Sequence, residues 1–164
     1  MRKGIEMTYT IEQLIDRWNT NEGKPFKGSL VDLSQYEQDN QNLGCMCAQG
    51  QVIHLIGGLD VQELARLQQS TADRQCAELL NISVAHSVLL RTINDKSDGA
   101  PSIVLTNPEL VIGDQAQTIL AFWRHLDTMT ASQWAAARDA AGAADRDAAW
   151  AAARDAAGAA AGDA

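Results

Sequence analysis

Cysteine is scarce in this chain: three in 164 residues, two of them as Cys45-Met46-Cys47. They make no disulfide framework, and a reducing cytoplasm is the expected location. No apolar h-region follows Met1-Arg2-Lys3, so no signal peptide is expected, and Met7 is an alternative start. Basic charge is also short, 13 Lys and Arg against 21 Asp and Glu for a net charge of −8, which argues against a protein that neutralises nucleic-acid phosphates. The acid is spread rather than blocked: eight acidic and five basic residues in 1–60, eight and five in 61–130, five and three beyond. Nothing therefore marks a nucleic-acid mimic. Strand-like alternation is nearly absent. The chain reads as all-α.

What is abundant is alanine, and it is concentrated at the C-terminus. Trp134 to Ala164 reads WAAARDAAGAADRDAA followed by WAAARDAAGAAAGDA, one sixteen-residue unit written almost twice. Alanine is the strongest helix former, and the interspersed Arg and Asp keep such a helix soluble while excluding a membrane span. At about 100° per residue a four-residue step overshoots a turn by about 40°, which puts Trp134 and Trp150 about 160° apart on a straight helix. One flat surface cannot cover both. Either the helix winds right-handedly around neighbours, or it breaks at Gly142 and Gly158 into short stacked pieces. Both routes predict an oligomerisation segment carried by Trp134, Gly142, Trp150 and Gly158, distinct from a globular all-α domain over 1–130. The repeat stops in mid-phase at Gly162-Asp163-Ala164 without the atypical unit that usually closes an array, so the parent gene is expected to continue or to have been cut there.

Helix-start signatures recur through the first 130 residues. Thr10-Ile-Glu-Gln13 is a capping box before Ile11, Leu14, Ile15 and Trp18 at helical spacing, and this helix should end between Asn19 and Gly23. Residues 23–42 read as a loop with a short extended piece at Leu30–Leu33. Leu43 to Ile56 reads as a helix stopped by Gly57-Gly58. Asp60 opens the next, with Val61, Leu64, Ala65 and Leu67 inward. Ser70 starts another that buries Cys76, Leu79 and Leu80. Ser83 caps a helix running to about Ile93, with Val84, Val88 and Leu89 inward. After the turn-rich Asn94–Pro101, Asn107-Pro108 begins a short helical turn. Asp114 opens an amphipathic helix with Ile119, Leu120, Trp123 and Leu126, and Thr130-Ala-Ser-Gln133 caps the alanine tail.

Few residues offer chemistry. Cys45, Cys47, Cys76 and His54 are zinc-ligand types, but Cys-x-Cys is not a zinc knuckle and no metal is expected. A nucleophile pair of Cys47 with His54 or His86 would need an activated thiolate, and nothing local signals one. Asn94-Asp-Lys-Ser-Asp98-Gly99 begins like a calcium loop, yet Lys96 and Leu105 stand where ligands belong. Gly57-Gly58 lacks the Lys and spacing of a phosphate loop. Arg91 and Arg124 are the cations available to an anionic ligand, with Trp123 for stacking.

The run WAAARDAAGAA, repeated at the tail, resembles alanine-repeat accessory proteins of bacteriophage and prophage genomes, some of them labelled immunity proteins. Cys45-Met-Cys-Ala-Gln-Gly50 and the stretch Ile82–Arg91 through Asp98-Gly99 look like the globular part of such proteins. The resemblance implies a small phage-type accessory protein acting in the host cytoplasm, of the kind that counters host defence, and it carries no catalytic motif. The leading expectation is a non-enzymatic protein without cofactor that self-assembles into a homo-oligomer through its tail. Its partner would be a host protein or a small anionic, nucleotide-like molecule. The alternatives are a Cys/His enzyme and a purely structural helical repeat.

Overall fold

A computed structural model describes residues 9–20, 22–38 and 43–162, with side chains through Asp155. Ten α-helices and no strand occur among the described residues, as the absence of alternating segments predicted. They are α1 (Ile11–Thr20), α2 (Leu33–Gln38), α3 (Ala48–Gln51), α4 (Val61–Arg66), α5 (Gln69–Leu80), α6 (Val84–Lys96), α7 (Ile103–Thr106), α8 (Glu109–Ile112), α9 (Ala116–Thr128) and α10 (Ala131–Gly162). A 3₁₀ turn, Leu43–Cys45, precedes α3, and a π-helical turn, Val52–Ile56, continues it. Two compact units result, one ending at Asp127 and one beginning at Thr128.

The first unit is built around α3 and its π turn. Every residue from Cys45 to Ile53 is buried, and this segment packs against α1, α5 and α6. Leu14, Trp18, Leu64, Leu90 and Val104 close on it from four helices and are at most 1% exposed. Each such side chain contributes about 1.5–3 kcal/mol by leaving water. A segment buried on all sides must satisfy its polar groups internally. Gln51 does so with the loops: its Oε1 accepts from Trp18 Nε1 at 2.8 Å, and its Nε2 faces the carbonyls of Gly23, Leu43 and Met46 at 2.9–3.2 Å. Asn94 plays the same part from α6, donating to Phe26 O and accepting from Ala48 N–H. Buried amides hold the proline- and glycine-containing loop in place.

Local expectations are met where the chemistry is local. Thr10 and Gln13 form the reciprocal capping box, Asp60 accepts from Gln62 N–H, and Ser83 accepts from His86 N–H. The extended piece near Leu30–Leu33 is real at one residue, where Val31 bridges Met46 in antiparallel fashion. Other expectations are corrected. Leu33–Gln38 is helical, started by Asp32, whose carboxylate accepts from Ser34 and Gln35. The stretch 43–56 is not one helix. Bonding of Cys45 and Cys47 to the strand-like piece, with Asp32 N–H on Cys45 O at 2.8 Å and Cys47 N–H on Leu30 O at 3.3 Å, divides it. Leu79 is 38% exposed, and Ala65 is exposed. The buried face of α5 is Ala72, Asp73, Cys76 and Ala77, and that of α6 is His86, Ser87, Leu90 and Asn94.

The second unit is α10. Thr130 and Gln133 form a capping box at its start, Thr130 N–H to Gln133 Oε1 at 2.8 Å and Gln133 N–H to Thr130 Oγ1 at 3.3 Å. The helix then runs for 32 residues, about 48 Å at ~1.5 Å per residue. It does not break at Gly142 or Gly158. A glycine costs only about 1 kcal/mol against alanine in a helix, and the flanking alanines absorb it. No single helix among the described residues is long and apolar enough to cross a membrane.

Candidate functional site

Three places in the chain gather side chains with chemical potential: the polar cluster under α5 and α6, the corner between those helices, and the surface of α10.

In the polar cluster, Gln49 is fully buried and its Nε2 faces Asp73 Oδ1 at 2.9 Å and Ser87 Oγ at 3.0 Å. Gln69 donates to Gln49 Oε1 at 2.8 Å and reaches Asp73 Oδ1 at 3.1 Å. Arg91 Nε lies 3.2 Å from Asp73 Oδ1, and its Nη2 lies 3.5 Å from Oδ2. The Asp73 side chain is 9% exposed, so its charge needs the guanidinium and amides it has. Arg91 thus spends its fork on an internal carboxylate. The polar residues Gln49, Asp73 and Ser87 were missed by sequence reading, although Gln49 and Gln51 inside the apolar run 45–56 were the available signal.

Two of the thiols, Cys47 and Cys76, lie close by, and both are buried. Cys47 caps α3 as the acceptor of Gly50 N–H at 3.4 Å, and burial, partly offset by that bond, pushes its pKa to about 11. Burial likewise raises Cys76 to about 12, against a lowering hydrogen bond from Ser87. A thiolate nucleophile needs the opposite shift. The histidines are also engaged. His54 Nδ1 donates to Leu59 O at 2.6 Å, and His86 Nε2 donates to Val104 O at 2.8 Å. Among the described residues neither ring is hydrogen-bonded to Cys47, so the alternative catalytic set Cys47, His54 and His86 is not assembled as a nucleophile–base pair. No group of three or more His, Cys, Asp or Glu among the described residues could hold a metal.

At the α5–α6 corner, Asn81 takes a left-handed conformation (φ 50°) and ends α5, and two residues later Ser83 opens α6. Helix α9 lies across this corner. Arg124 Nη2 donates to Asn81 O, at the carbonyl end of α5, and Asp127 Oδ2 accepts from Val84 N–H at 2.8 Å, at the amide end of α6. Each charge complements the helix end it meets. A cleft of about 270 Å³ opens here, lined by Ile82, Ser83, His86, Gln117, Leu120 and Arg124 among others. Arg124 thus belongs to a cleft, Trp123 is half-buried and outside its lining, and Arg91 is elsewhere. Asp73 and Asn81, the two arginines' partners, are eight residues apart on α5, about 12 Å. The expected triad Arg91, Trp123 and Arg124 is not brought together.

On α10 no described side chain is buried, Trp134 is 43% exposed and Trp150 is 66% exposed. Gly142 is half-buried. Gly158 is helical and lies beyond the described side chains.

The chain matches no protein-family model, no curated protein and no solved structure.

Proposed function

We propose that this chain is a non-enzymatic binding protein that assembles with copies of itself through α10. The observation that carries the reading is the exposure of Trp134 and Trp150 on a helix with no buried described side chain. Two indoles set in a surface of small residues are what a helix presents when another helix is to cover it, because each buries about 150–250 Å² on packing. The first unit supports the non-enzymatic half of the reading: burial raises the Cys47 and Cys76 thiols above their ordinary range, His54 and His86 bond to carbonyls, and Arg91 is tied to Asp73. With the likeness to alanine-repeat phage accessory proteins, the reading is a small counter-defence protein whose assembled units hold a host component.

Hydrogen exchange tests the assembly. An alanine helix in water exchanges quickly, whereas one covered by a sister helix is protected to the extent that the copies associate. Protection of α10 amides should rise with protein concentration while that of α5 and α6 stays constant. Exchange of α10 at one rate across a hundredfold range of concentration would defeat the proposal.

A second reading is favoured by the cleft under Arg124: a small anionic molecule seated against its guanidinium, with Ser83 beside it. A thermal-shift screen with nucleotides tests it. A rise in melting temperature abolished by Arg124→Ala supports this reading, and no rise with any nucleotide rejects it.

A further inference from the structure

Leu79 is a large apolar side chain left 38% exposed on α5, whose inward face is Ala72, Asp73, Cys76 and Ala77. The π turn Val52–Ile56 packs against this helix and ends at Gly57. A β-carbon on Gly57 would come 2.9 Å from Leu79 Cδ1, so the missing side chain is what lets the leucine lie against the turn. A cleft of about 300 Å³ opens here, lined by Ile53, Gly57, Leu59, Gln75, Glu78 and Leu79. Its walls are aliphatic except for the Gln75 amide and the Glu78 carboxylate. The space equals about ten waters at ~30 Å³ each, enough for one indole ring.

Helix α10 carries the counterpart. Asp147, Trp150, Ala151 and Arg154 border one hollow on its surface, with the indole 66% exposed. Long side chains on a helix lean toward its N-terminus. Arg146 leans over Gly142, its Nη1 4.0 Å from where a β-carbon would stand, and so is drawn away from Trp150. The same lean brings Arg154, one turn beyond Trp150, toward the ring. Three and four positions from Arg154 in either direction stand only Trp, Ala and Gly, so its own helix offers it no acid. The ion pairs of the described residues, Lys27–Asp98 and Arg91–Asp73, include neither Arg154 nor Glu78.

We propose that Trp150 of one copy seats in the cleft between the π turn and α5 of a second copy, with Arg154 on Glu78, and that the two copies exchange this contact reciprocally. This rests on the self-assembly reading above and adds the surface that the indole meets. Asp147, Trp150 and Arg154 lie within about 60° of arc, so a single face of α10 makes the whole contact. Trp134, about 160° from Trp150, takes no part in it. A buried indole needs an acceptor for its N–H, and the Glu78 carboxylate at the rim supplies one. Gln75, one turn earlier on α5, is the amide donor available to Asp147. Trp150 stands about 28 Å along α10 from Ala131, which carries the ring out to a neighbouring chain. Two indoles at about 150–250 Å² each, with matching area in the two clefts, bury less than the ~1,200 Å² of a standard interface, so the dimer dissociates on dilution. The α5 amides are bonded within their own helix, and docking covers its side chains only.

Sedimentation equilibrium of full-length variants tests the contact. Leu79→Asp places a charge on the cleft wall and should raise the dimer dissociation constant at least tenfold, about as much as Trp150→Ala does. Charge exchange makes the reading independent of any effect on folding. Glu78→Arg and Arg154→Glu should each weaken the dimer about tenfold, since every pair occurs twice, and the two together in one chain should restore it. A dimer unaffected by Leu79→Asp would overturn this docking and leave self-assembly standing. So would failure of the double exchange to restore. A wild-type chain monomeric at every concentration would overturn both.

Discussion

Arg91 reaches across from α6 to hold Asp73 of α5 at 3.2 Å, beside the buried amide of Gln49. An arginine that looks available to a ligand is thereby part of the core's polar bracing. Removing it leaves a carboxylate that is 9% exposed with amide partners only. Arg91→Ala should cost about 2 kcal/mol in urea unfolding, below the 3–5 kcal/mol of a fully buried pair because the Arg91 side chain is 30% exposed. Arg91→Ala combined with Asp73→Asn should cost less than the two singles added. Strict additivity would show that the pair does not act as one.

Gly50 allows α3 to lie on the backbone of Leu30. A β-carbon there would come 2.0 Å from Leu30 O, an oxygen that also accepts from Cys47 N–H. Gly50→Ala should therefore lose about 3 kcal/mol or fail to fold, since backbone rather than a pliable side chain must move. At Gly99 the nearest atom to a new β-carbon is Ser97 Oγ at 3.5 Å, and Gly99→Ala should stay within about 0.5 kcal/mol. Equal effects at the two positions would refute the close approach.

Cys47 and Cys76 carry raised pKa values in the fold, about 11 and about 12 against 9.0 for a free thiol. Above pH 9 the unfolded chain gives up thiol protons that the folded chain keeps, so stability must fall as pH rises from about 9 to 11. The slope is at most about 1.4 kcal/mol per pH unit for each thiol. Urea midpoints across this window should fall less steeply in Cys47→Ser, which retains a helix-capping oxygen, combined with Cys76→Ala. An unchanged slope would mean that the thiols are not the groups responsible.

Helix α9 contributes no side chain to the main core; its Ile119, Leu120, Trp123 and Leu126 are half-buried, and two of its charges meet the α5–α6 corner. Arg124→Ala and Asp127→Asn should each cost about 0.3–1 kcal/mol, the worth of a charge at an exposed helix end. The loss should appear as faster amide exchange over Ile119–Leu126, with α5 and α6 unaffected. Faster exchange throughout the unit would instead make α9 integral to the core.

Features set by near neighbours were legible in the sequence. Thr10 with Gln13, Asp60, Ser83 and Thr130 with Gln133 each cap the helix that their spacing implies, because a cap spans only three residues. The inward faces of α5 and α6 were not legible. Hydrophobicity points Leu79 inward, but Gln49 from a distant segment draws Asp73 and Ser87 to the inside and turns Leu79 toward solvent. Division of the 43–56 stretch depends on Leu30, thirteen residues upstream, and so escaped a local reading. At the candidate sites, residue types were visible and partners were not. Arg91 and Arg124 differ only in what stands opposite them, Asp73 for one and a backbone carbonyl at an open cleft for the other.

Sedimentation equilibrium of the full chain bears most directly on self-assembly through α10. The chain weighs 17.7 kDa, and the account predicts a particle of about twice that mass, dissociating on dilution, which Trp134→Ala with Trp150→Ala returns to monomer. A wild-type mass of 17.7 kDa at every concentration, unchanged by the two substitutions, would contradict it.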